Sequence, residues 1–138
     1  MSGLQTALTG YASYRGREGH LSFLLHRLTG LGTLLFLTIH IVDMAAFYWA
    51  PEFFEEALAL YRTPIFGLGE IALVFCVFFH GANGIRIAIV DMFMPHRWAI
   101  SAQRNAVRWT VAITLILWAP AALYMLIRTF NPAFNLFT

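Results

Sequence analysis

Charge is scarce in this sequence. Asp, Glu, Lys and Arg make up 12% of its 138 residues, about half the share of an ordinary soluble domain. Lysine is absent, so all nine basic residues are arginine. That bias suits sites needing a planar group with five donors, and a GC-rich gene produces it equally well. The single cysteine, Cys76, lies in an apolar run, which excludes an internal disulfide and reads as a small core residue. Glycine-rich phosphate loops, Cys-x-x-Cys pairs and nucleophile elbows are also missing, so nothing resembles a self-contained active site. Residues 1–23 lack an apolar segment followed by a small-residue cleavage site, so no signal peptide is expected. What remains is 59% hydrophobic with a mean hydropathy of +0.68. That composition describes a small integral membrane protein with a single domain.

Three segments are long enough to cross ~30 Å of hydrocarbon, at about residues 25–49, 65–94 and 107–128. The expected fold is therefore all-α, with a polar arm at 1–22, an outer loop at 50–64 and a cytoplasmic loop at 95–106. Pro120 is expected to kink the third span. Arg15, Arg17 and Arg27 precede or open the first span, and Arg97, Arg104 and Arg108 flank the third. The loop at 50–64 sets Glu52, Glu55 and Glu56 against Arg62 alone, and Arg128 follows the third span. The positive-inside rule puts the N-terminus in the cytoplasm and the C-terminus outside. Trp49, Trp98 and Trp109 sit near span ends, as interfacial aromatics do. The outer loop, PEFFEEALALY, has the apolar spacing of a short surface helix.

Polar residues inside the spans carry the functional signal, because they are costly in hydrocarbon. The second span contains FFHGANGIRIAIVD, residues 78–91. Gly84 lies one turn from His80 on the same face and Gly81 is adjacent. A histidine beside absent side chains leaves a notch into which a porphyrin bound by the imidazole would fit. Arg86 would reach carboxylates at the edge of such a ring, and Asp91 falls near the span's inner end. Close helix packing by the glycines and a hydrogen bond across a helix pair explain the same residues without a cofactor. In the first span, Ser22, His26 and Arg27 could hydrogen-bond a quinone carbonyl or a haem propionate, or simply anchor the interface. His40 lies about 20 Å above Arg27 and His80 about 16 Å above Asp91. On that count the two histidines share a depth and could ligate one haem, serve two, or do unrelated things. Glu70 and Asp43 lie toward the outer side and read as structural.

The two clusters, in this order, resemble the cytochrome b556 membrane-anchor subunit of succinate dehydrogenase, the SdhC family, in its actinobacterial-like branch. That family carries H-R-x-[TS]-G early in its first span, matched by His26, Arg27, Thr29 and Gly30. It carries H-x-x-x-G-x-R-H-x-x-x-D in its second, matched by His80, Gly84, Arg86 and Asp91. YRTPIFGLGE, residues 61–70, adds to the likeness, which covers residues 20–94 well and the third span only generically. The resemblance implies that His80 is an axial ligand of haem b, with the other ligand supplied by a second anchor subunit packed into the same helical bundle. It implies that Arg27 and His26 lie near quinone and the haem propionates, and Arg86 and Gly84 beside the haem. Ile87 stands where the family has a second histidine, and Phe23 where it has the quinone-site serine. Ser22 is one residue early, about 100° around a helix. His40 is similar in place to the first-span ligand of two-haem relatives, so a second haem is open.

The expectation is a haem- and quinone-binding anchor of a succinate:quinone oxidoreductase in the bacterial cytoplasmic membrane. Its partners would be an iron–sulfur subunit, a flavoprotein, a second anchor subunit and the lipid bilayer, with no nucleic acid. A cofactor-free anchor, a transporter subunit using Glu70, Asp43 and Arg86, and a fumarate reductase anchor are the alternatives.

Overall fold

A computed structural model describes residues 18–94 and 100–131. The expectations placed on Arg15, Arg17, Arg97 and Trp98 lie outside the described residues. Among those described, the chain is four helices: α1 (Glu18–Trp49), α2 (Pro51–Tyr61), α3 (Pro64–Phe93) and α4 (Ile100–Phe130). At 1.5 Å per residue the three long ones measure ~45 Å or more, ample for hydrocarbon ~30 Å thick. All three are long and apolar enough to cross a membrane.

Proline sets both breaks on the outer-loop side. Pro51 opens α2 and Pro64 opens α3, and the residues before them, Ala50 and Thr63, have ψ of 67° and 147°, outside the helical range. The segment at 50–64 is thus mostly the short helix its spacing announced. The α1 and α4 helices begin earlier than their apolar stretches, at Glu18 and Ile100. Apolar length measures hydrocarbon, whereas polar residues extend the helix beyond it. Glu18 favours the positive end of α1 and holds Arg108 at 2.7 Å and Arg104 at 3.7 Å. The α4 helix runs on through Pro120 to Phe130.

The α3 helix is central, antiparallel to both α1 and α4. Against α4, Gly67 faces Thr129, the Trp118 indole donates to the Ile71 carbonyl at 3.0 Å, and Phe75 meets Trp118 edge-on. A Cβ on Gly67 would fall 2.7 Å from Thr129 Oγ1, so the approach depends on glycine. What this packing buries is largely polar: Ser22, Thr29, Asp43, Asn83, Thr110 and Thr114, against Ala46, Phe79 and Val107. Thr29, Thr110 and Thr114 each donate to the carbonyl four residues back, which lets them pack as small residues with their hydroxyls satisfied. Most large aliphatic and aromatic side chains other than Phe79 point outward instead, as a lipid environment requires.

Candidate functional site

The face of α3 carrying His80 packs on the first half of α1. Here α1 contributes Ser22, His26 and Gly30, spaced four apart so that all three point the same way. The imidazoles of His26 and His80 stack in parallel, with centroids 4.1 Å apart and planes inclined by 2°. His80 Nδ1 lies 3.1 Å from the His26 carbonyl oxygen. A carbonyl only accepts, so Nδ1 carries the proton and Nε2 keeps a free lone pair. Nε2 has no hydrogen-bond partner among the described residues and is not one of the buried unpaired atoms.

Glycine makes room for this ring. A Cβ on Gly30 would fall 2.8 Å from His80 Cε1 and 3.1 Å from Nδ1. Gly84 is less constrained, since its Cβ would make ordinary contact with His26 at 3.8 Å, and a Cβ on Gly81 would meet open space. The expected notch therefore lies beside Gly81, while the decisive absence of a side chain is across the interface, at Gly30.

One turn toward the arginine-rich end, Asn83 is 0% exposed. Its Oδ1 accepts from Ser22 Oγ and from Arg86 Nε, both at 3.0 Å. Arg86 Nη1 donates onward to Gln103 Oε1 on α4 at 3.1 Å. The chain Ser22–Asn83–Arg86–Gln103 thus ties α1, α3 and α4 together. Asn83 and Gln103 are the residues that sequence reasoning missed. Asn83 stands three residues from both His80 and Arg86, a spacing that could have marked it, whereas Gln103 sits in the stretch read as a loop.

Several expected site residues are placed differently. Ser22 is buried and its hydroxyl is spent on Asn83, because an early position on the helix turns it into the bundle. Arg27 is exposed, with its guanidinium 5.4 Å from the centre of the Phe23 ring, so Ser22 and Arg27 do not converge. Arg86 is six residues from His80, about 120° around the helix, and is turned toward α4. His40 is not level with His80: His80 lies against His26, and His40 is ~21 Å further along α1, exposed, with its ring on Phe36. The two cannot ligate one iron. Asp91 and Glu70 are exposed, whereas Asp43 is buried and accepts from the Tyr61 hydroxyl at 2.6 Å. That bond, with burial adding to it, raises the Tyr61 phenol above its ordinary pKa.

Among the described residues no three of His, Cys, Asp or Glu cluster as a metal ion would need. A metal held at His80 must bring its other ligands with it, as an iron porphyrin does. The residues fit such a group on three counts: the free Nε2, the open space at Gly81, and a buried, unpartnered Nδ1 on His26 beside them.

Residues 7–121 match the succinate dehydrogenase/fumarate reductase transmembrane subunit family. Over 80 residues the chain is 41% identical to the succinate dehydrogenase 2 membrane subunit SdhC of Mycobacterium tuberculosis. The match covers 58% of this chain and 59% of that relative's length.

Proposed function

This chain belongs to the succinate dehydrogenase/fumarate reductase transmembrane subunit family, and from that premise we propose that it is the haem b- and quinone-binding anchor of a succinate:quinone oxidoreductase. The observation that carries this reading is the presentation of His80, with Nδ1 tied to the His26 carbonyl, the ring seated against Gly30, and Nε2 left free. A hydrogen bond on Nδ1 fixes the tautomer and ring orientation and makes the opposite nitrogen a better ligand. His80 would hold haem b through Nε2, and a second anchor subunit would share in binding it. Haem b, when bound, supplies a one-electron site between the iron–sulfur subunit and quinone.

This chain's own residues orient and charge the site. His26 covers one face of the His80 ring, and Gly30 keeps that ring from being pushed aside. Arg27 and His26 lie at the arginine-rich end, where they would meet propionate oxygens or a quinone carbonyl. The cytoplasm would face this end, the iron–sulfur subunit would dock there, and the dicarboxylate would be handled by the flavoprotein. The name of the mycobacterial relative favours succinate oxidation over fumarate reduction.

The test is a dithionite-reduced minus oxidised spectrum of the complex purified from its native membrane, for the wild type and His80→Ala. A b-type signal lost in the variant, in a complex that still assembles, is expected. A wild-type complex without b-type bands would leave a cofactor-free anchor.

A further inference from the structure

The side of Arg86 facing away from His80 borders a groove that the haem reading does not use. It lies between α3 and α4, encloses about 360 Å³, and is walled by Ile85, Ile89, Ala102, Ala106 and Trp109 among others, with Arg86 and Gln103 on its side. The small side chains of Ala102 and Ala106 on α4, opposite the isoleucines of α3, leave room for it. The groove runs from Ala82 to Met94, or ~18 Å along α3, from the interior of the span to its arginine-rich end.

The guanidinium in this groove makes no ion pair among the described residues, although the Asp91 carboxylate five residues further along α3 acts on it through space. Asn83 and Gln103 are both uncharged, and the ion pairs among the described residues belong to Glu18. Arg86 lies ~10 Å from the end of α3, where an unpaired charge is costly and an anion compensates it. The surroundings hold more cations than carboxylates. Glu18 is shared between Arg104 and Arg108, Arg27 adds a further cation, and Asp91 is the other acid of this end.

An apolar groove with a half-buried cation on its wall suits an amphiphile carrying an anionic head. We propose that this groove binds one anionic phospholipid, an acyl chain lying along Ile85, Ile89 and Ala106 and a phosphate oxygen accepting from Arg86. Gln103 and Asn83 hold the guanidinium by Nη1 and Nε, leaving Nη2 for the phosphate. The net positive charge of this end selects a headgroup with net negative charge over a zwitterionic one. The site is separate from His80 and does not depend on haem being bound.

The experiment uses the whole complex, purified in mild detergent and then exchanged into nanodiscs of phosphatidylcholine alone or with one-fifth phosphatidylglycerol. Bound phospholipid is counted by mass spectrometry of the released lipid, and thermal stability is followed in both discs. The wild type is expected to retain phosphatidylglycerol and to melt higher when it is present. Arg86→Gln should lower that retention about tenfold, the loss of one charge-assisted contact. Ala106→Leu, which fills the groove and keeps the arginine, should lower it similarly and covers the case in which Arg86→Gln fails to assemble. Equal retention in wild type and variants overturns the proposal. So does loss of haem with lipid retained in Arg86→Gln, which would assign the guanidinium to a propionate. Loss of quinone with lipid unchanged in Ala106→Leu would assign the groove to an isoprenoid tail. An absent b-type signal in every sample would defeat the haem reading while leaving the lipid result to stand or fall alone.

Discussion

The two halves of α1 have opposite relations to the rest of the chain. From Glu18 to Thr33 the helix is pinned: Glu18 to α4, Ser22 to Asn83, His26 to His80, Gly30 beneath the same imidazole, and Gly32 against Cys76. From Leu34 to Val42 every residue is exposed, until Asp43 and Ala46 are buried again near α2. The first half is preorganised by this chain alone, by small residues and hydrogen bonds. The second half is bare and includes a histidine, which in a membrane calls for lipid-facing compromise or a partner. On the proposed function, one haem ligand would be fixed before assembly, while the bare half would await a second anchor subunit.

The sharpest way to break the pinned half is at Gly30. In Gly30→Val the branched side chain has no room beside His80 Cε1, and rotating the imidazole forfeits its bond to the His26 carbonyl. We expect the b-type signal to fall by more than half in an assembled complex, nearly the effect of removing His80. Gly69→Ala is the control, since a Cβ there meets nothing within 4 Å, and it should leave the spectrum unchanged. Equal spectra for both variants would show that the close approach at Gly30 does not set the ligand.

Asn83 offers a smaller effect and a test of what the polar link does. Asn83→Leu leaves the donors of Ser22 and Arg86 Nε facing hydrocarbon, which costs about 1–3 kcal/mol. Asn83→Asp keeps an acceptor for both, gives up only an amino group that has no partner, and adds a charge beside Arg86. Thermal loss of the b-type band should therefore come earlier in the leucine variant and near the wild type in the aspartate variant. The reverse order would mean that side-chain volume, not hydrogen bonding, holds α1 on α3.

How much of this was legible in the sequence depends on what each signal measures. Span number followed from apolar length, and the surface helix of 51–61 from its spacing between two prolines. The motif pair pointed to His80 and His26 but not to their stacking, because which faces meet is settled between helices. Depth was misjudged for a specific reason. Arg27 and Asp91 were taken as marks of one level, yet α1 begins at Glu18, well before Arg27, while α3 ends at Phe93, just past Asp91. Charges near a span end can lie more than two turns inside it when the helix continues into polar sequence. Gln103 was hidden by the same habit of ending a helix where its apolar run ends.

His40 is where the comparison predicts the least. It is ~21 Å along α1 from His26, its ring lies on Phe36 while that of His80 lies on His26, and the helix around it is exposed from Leu34 to Val42. His40→Leu should therefore leave the position and intensity of the His80 band unchanged within measurement error, read as haem per flavin and as the reduced-minus-oxidised maximum. If the variant instead loses half the haem while the remaining band keeps its position, the bare half of α1 carries a second site completed by the partner subunit. If it shifts the remaining band, the two halves are coupled through a surface that this chain alone does not form, and the division of α1 into a pinned and a bare half fails.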